Sequence, residues 1–84
     1  MNSYVVGENP TQQTALRLRQ VENNIAVALF GKSTEDTSDQ EHAIVERVKA
    51  LMTDTERLRF PQMTRQDLSQ LSLDVLARYE EQQS

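Results

Sequence analysis

Residues 9–31, NPTQQTALRLRQVENNIAVALFG, carry the pattern that decides the fold. Asn9 can accept a backbone N–H as N-cap, and Pro10 suits the first helical position, where its missing donor is not needed. Gln12, three residues beyond Asn9, fits the spacing of a capping box. Leu18, Val21, Ile25 and Ala28 then recur at spacings of 3, 4 and 3, one stripe along a helix, and Gly31 offers a residue suited to the left-handed conformation that commonly ends one. The segment predicts a first helix over residues 10–30. Its last six residues, IAVALF, are apolar on every side, whereas a helix lying on one small core needs a single stripe. Together with Leu16 and Leu18 they give the helix two apolar faces, only one of which its own neighbours can cover. In a two-fold dimer one patch serves both subunits, so the second face predicts a homodimer interface at Leu18, Val21, Ile25, Val27, Leu29 and Phe30; the alternative is burial of this surface inside a monomer, since Ala26 and Ala28 need little cover.

Further along, Lys32 to Asp39 is polar and acidic and reads as a loop. Ser38 stands three before Glu41, again a capping-box spacing, and Ile44, Val45, Val48, Leu51 and Met52 form the next stripe, predicting a second helix over 39–53. Thr53 stands three before Glu56, so the chain can restart as a short helix or run on to Phe60, where Pro61 stops it. Thr64 caps the last helix, with Asp67 near its positive end. Leu68, Leu71, Val75 and Tyr79 make its inner stripe, and Asp74 and Arg78 are spaced as an i,i+4 ion pair outside. The fold class is therefore all-α: a small domain of three helices, with or without a short fourth between the last two depending on whether the chain restarts at Thr53. Residues 1–8 read as a flexible tail, 9–80 as one helical domain and 81–84 as a frayed end.

Composition narrows the function classes. Leu, Ile, Val and Phe number 20 of 84, about a quarter, enough to fold but marginal for a single core. Absence of Cys excludes disulfides as an aid and fits a reducing compartment. One imidazole, His42, is too few for a zinc-type site, and the acidic loop TEDTSDQE at 34–41 lacks the spacing and central Gly of a calcium loop, so no metal or other cofactor is expected. The longest apolar run is six residues, and no basic and apolar leader opens the sequence, which leaves the cytoplasm as the expected location, with no membrane contact. With two Gly there is no phosphate loop, and no nucleophile stands beside a base, so neither catalysis nor a small-molecule substrate is expected.

Net charge is −4 but uneven: residues 32–46 sum to −4, 47–65 to +3 and 66–84 to −3. Arg57, Arg59 and Arg65 bracket the bend at Pro61, with Arg47 and Lys49 nearby. A helix, a Pro-containing turn and a capped helix resemble a helix-turn-helix in outline, but Asp67, Asp74, Glu80 and Glu81 on the second helix would face a polyanion. The favoured expectation is a homodimeric regulatory or adaptor protein that acts by protein–protein contact with itself and another protein. The alternative is a dimeric DNA-binding regulator that uses Arg57, Arg59 and Arg65.

Overall fold

A computed structural model describes residues 10–83, with side chains described from Gln13 onward. The expected tail at 1–8, the Asn9 cap and Ser84 lie outside the described residues. Four α-helices follow one another, α1 (Pro10–Phe30), α2 (Asp39–Lys49), α3 (Asp54–Leu58) and α4 (Arg65–Gln83), with no strand among the described residues. Single 3₁₀ turns at Thr34–Asp36 and Phe60–Gln62 fill two of the connections. The short fourth helix is thus present as α3, and α4 carries residues 81–83, read from sequence as frayed, in regular helix.

Side chains at the helix ends set the boundaries. α1 stops where Gly31 takes φ +68° and its N–H reaches the Val27 carbonyl at 2.9 Å, closing an orphan acceptor of the last turn. Ser38 and Glu41 form a full capping box at the start of α2, Ser38 Oγ accepting from Glu41 N–H and the Glu41 carboxylate from Ser38 N–H. Lys32 adds an ion pair to that carboxylate at 2.9 Å. The Ser38 backbone N–H and the Lys32 ammonium together hold the Glu41 pKa below the usual carboxylate range. Thr53 and Glu56 repeat the box at α3, and Thr64 and Asp67 exchange the same two bonds at the start of α4.

α2 is shorter than its apolar stripe suggests and ends at Lys49 rather than at residue 53. Thr53 must adopt extended backbone (φ −81°, ψ 162°) to cap α3, so the helix has to end upstream of it. Residues 50–52 descend through tighter i,i+3 bonds, from Leu51 N–H to Val48 O and from Met52 N–H to Lys49 O.

One core results. Val21, Ile25 and Ala26 of α1, Val45 and Val48 of α2, Met52, Phe60, and Leu68, Leu71, Val75 and Leu76 of α4 are buried together. Leu18, Leu29, Phe30, Ile44, Leu51, Met63 and Tyr79 are packed partly against them. α1 is the central element, touching α2, α4 and the turn that holds Phe60. Arg17 Nε donates to the Met63 carbonyl at 3.2 Å, and Asn24 Nδ2 donates to Ser72 Oγ at 3.2 Å. Residues 17 and 24 thus pair with 63 and 72 in ascending order, so α1 and α4 run in the same direction.

Two further expectations are corrected. Ala28, placed on the inner stripe of the first helix, is exposed, because the buried line runs through Val21, Ile25 and Ala26 and leaves position 28 on the flank. Arg78 closes on Glu56 rather than on Asp74: its two terminal nitrogens meet the two Glu56 oxygens at 2.8 and 2.7 Å, and Nη1 also donates to the Leu51 carbonyl. A guanidinium fork on a carboxylate makes two parallel charge-assisted bonds and displaces a one-turn neighbour. Asp74 instead accepts from Gln70 Nε2 at 3.0 Å.

Candidate interaction surface

The six residues of α1 expected at an interface fall into different places. Val21 and Ile25 have no exposed surface, both inside the chain's own core. Leu18, Leu29 and Phe30 are half-buried against that core. Val27 is the one left with its side chain well exposed, at 50%.

Val27 does not stand alone. With Asn24 and Ala28 it forms one wall of a groove whose other wall is Ser69, Ser72, Leu73 and Leu76 of α4, about 280 Å³ in volume and predominantly apolar. Leu73 is 58% exposed, whereas Leu76 is buried and connects the groove to the core. Ser72 is buried at its floor, its hydroxyl donating to the Leu68 carbonyl and accepting from Asn24. Its polar atoms are therefore satisfied without a ligand. The sequence signal for this groove was the apolar excess of residues 25–30. Leu73 was missed, since it lies outside the inner stripe of the last helix and gains meaning only once α4 is known to lie beside α1.

Two other clefts are more polar. One, about 480 Å³, lies between the α3 region and α4 and is lined by Glu56, Arg59, Gln62, Met63, Asp67, Gln70, Leu71 and Asp74. The other, about 570 Å³, lies between α1 and the loop that follows it, with Leu16, Arg19, Glu22 and Thr34 among its walls. Glu56 of α3 and Gln62 of the second 3₁₀ turn wall the first, and Thr34 and Glu35 of the first 3₁₀ turn wall the second.

The fold sets carboxylates within the basic middle of the sequence. Arg57, Arg59 and Arg65 are all exposed, but Arg59 shares its cleft with the carboxylates of Glu56, Asp67 and Asp74. Lys49 leaves the group altogether, bonded to Glu22 of α1 and, at 2.9 Å, to Glu46 one turn back. Burial opposes its charge, yet the two carboxylate bonds outweigh that and raise its pKa. The Lys49 ammonium in turn holds Glu46 below the usual carboxylate range. In the α3–α4 cleft the Arg78 fork, opposed by partial burial and helped by the Thr53 backbone N–H, depresses Glu56 to about 2.

His42 is exposed, with Nε2 3.7 Å from Glu46. Among the described residues no group of three or more His, Cys, Asp or Glu is placed to hold a metal ion, and no helix is long and apolar enough to cross a membrane. No protein-family model, curated protein or solved structure matches the chain.

Proposed function

We propose that the chain is a small helical regulatory or adaptor protein without a catalytic role, which acts by protein–protein contact through the groove between α1 and α4, and that self-association is a contact this groove makes. The observation that carries the reading is the grouping of Val27, Ala28, Leu73 and Leu76 around one groove whose only polar lining is Asn24 and two serines. Isolated exposed leucines are ordinary on a soluble protein, and Leu58, 80% exposed on α3, is one of them. Two large side chains on adjacent helices, flanking a furrow that leads to the core, form a contiguous patch of the kind that marks an interaction site.

Covering a large aliphatic side chain is worth about 1.5–3 kcal/mol when burial is complete, so the half-exposed pair Val27 and Leu73 offers part of that per subunit. A two-fold contact doubles the gain. The proposed location is the cytoplasm. The DNA-binding alternative draws no support from the surface around Arg59, where three carboxylates would repel a phosphate backbone.

Sedimentation equilibrium of the parent with Leu73→Asp, Val27→Asp and Leu58→Asp tests the reading. Mass above 9.6 kDa that rises with micromolar concentration, falls in the first two variants and persists in the third supports it. A parent that stays monomeric throughout that range contradicts self-association.

A further inference from the structure

We infer that the occupant of the α1–α4 groove is a second copy of the chain, seated with its α4 antiparallel to this α4 and its Leu73 lodged in the groove, so that Arg65 of each copy meets the acidic end of the other's helix. The inference rests on the self-association proposed above and adds its orientation and register.

Ser69, Ser72, Leu73 and Leu76 stand at i, i+3, i+4 and i+7, the four positions that bound a hole on a helix surface into which a facing side chain packs as a knob. Two of the four are serines and Ala28 lies alongside, so the hole is wide enough for a leucine. Leu73, 58% exposed, is the knob the chain itself presents. The centre of the hole lies between residues 72 and 73, next to the knob itself. A helix whose knob adjoins its own hole is self-complementary about a two-fold axis at that point.

Charge selects the direction. On α4 the stripe through the hole begins at Arg65, four residues before Ser69, and ends at Glu80, four beyond Leu76, with Glu81 next to it. The midpoint of Arg65 and Glu80 falls between residues 72 and 73, the centre of the hole. An antiparallel copy with its axis there sets Arg65 opposite Glu80 and Glu81 at both ends, about 22 Å apart along the helix. A parallel copy would set arginine against arginine and glutamate against glutamate, which repel. The two positions are helix-surface neighbours of the apolar patch and form the charged rim of an interface with a greasy centre.

The test combines a charge swap with directional crosslinking on the full chain, which contains no cysteine of its own. Arg65→Glu and Glu80→Arg should each weaken the parent's self-association about three- to tenfold, as expected for two symmetry-related exposed ion pairs, and the double variant Arg65→Glu/Glu80→Arg should recover most of the loss. Under mild oxidation or with a short bis-maleimide, a mixture of Arg65→Cys and Glu80→Cys chains should yield the mixed dimer in excess over either self-linked species. Self-linked dimers of each variant in place of the mixed one would overturn the antiparallel register while leaving the groove as the contact. Loss of association in Leu73→Asp together with failure of the double variant to recover would likewise refute the register alone. A monomeric parent would remove the register together with the self-association on which it stands.

Discussion

Replacing Glu56 by Gln removes the one carboxylate that ties α3 to α4, and the size of the loss follows from its environment. Glu56 accepts both arms of the Arg78 fork at 2.8 and 2.7 Å and also closes the Thr53 capping box, so it holds a five-residue helix with no buried residue of its own. Its pKa falls from 4.5 to about 2 in the folded chain. Taken at face value that depression corresponds to roughly 3 kcal/mol of stability at neutral pH. The Arg78 side chain is 37% exposed, and screening by water reduces the figure to about 1–2 kcal/mol. Gln at position 56 keeps an acceptor for the Thr53 N–H and for Arg78 Nη1 but sets an amide donor against Nη2, so the change removes the charge and one arm of the fork while sparing the cap. Because the folded pKa lies below the unfolded one, the contribution is complete above about pH 4.5 and fades as pH falls toward 2. Urea denaturation of parent and Glu56→Gln at pH 7, 5 and 3 should show a gap of about 1–2 kcal/mol at pH 7 and 5, clearly smaller at pH 3, with melting at neutral pH lowered by about 4–8 °C per kcal/mol. A gap that is absent at pH 7, or that is the same at pH 7 and pH 3, would refute the assignment of the clamp to this ion pair.

Phe60, 1% exposed where the turn before α4 meets α1, should lose about 3–5 kcal/mol on truncation to Ala, leaving the chain largely unfolded by circular dichroism near room temperature. Gly31 has φ +68° and nothing within 4 Å of an added Cβ, so Gly31→Ala should cost about 1–2 kcal/mol from backbone conformation alone and Gly31→Asn less, read from denaturation midpoints. Mixed-sequence duplex DNA at physiological salt should bind no more tightly than the non-specific range of about 10⁻⁴ to 10⁻⁶ M by fluorescence anisotropy; tight selective binding lost in Arg57→Ala/Arg59→Ala would reinstate the DNA-binding reading.

Helix boundaries were legible in the sequence wherever a side chain had to act on nearby backbone. Ser38 with Glu41 and Thr53 with Glu56, placed by their spacing, and Thr64 and Gly31, placed by residue type, are all local devices that act where the sequence sets them; that Asp67 closes a second bond back to Thr64 N–H emerges from the structure. The shortening of α2 follows from the same logic, since the Thr53 cap overrides the stripe that runs on to Met52. Long-range choices were not legible. Asp74 lies one helical turn from Arg78 in sequence, but the fold brings Glu56 from 22 residues away into a bidentate geometry that Asp74 does not make. Lys49 counts toward a basic segment only until α1 presents Glu22 to it. The candidate site shows the same division: the apolar surplus of Ile25 to Phe30 announces that one flank of α1 needs a cover, but its other wall, Leu73 and Ser69, emerges only from the parallel packing of α1 beside α4.

An NMR dilution series of the parent, recorded as ¹H–¹⁵N correlation spectra from millimolar to low micromolar, maps any contact between copies residue by residue. Association through the groove should gather concentration-dependent shifts on Asn24, Val27, Ala28, Ser69, Leu73 and Leu76, with the amides of Leu58 and His42 unmoved. Spectra that superpose across the whole range, with tumbling that matches 9.6 kDa, would contradict self-association through this groove, as would shifts confined to the α3–α4 cleft around Arg59.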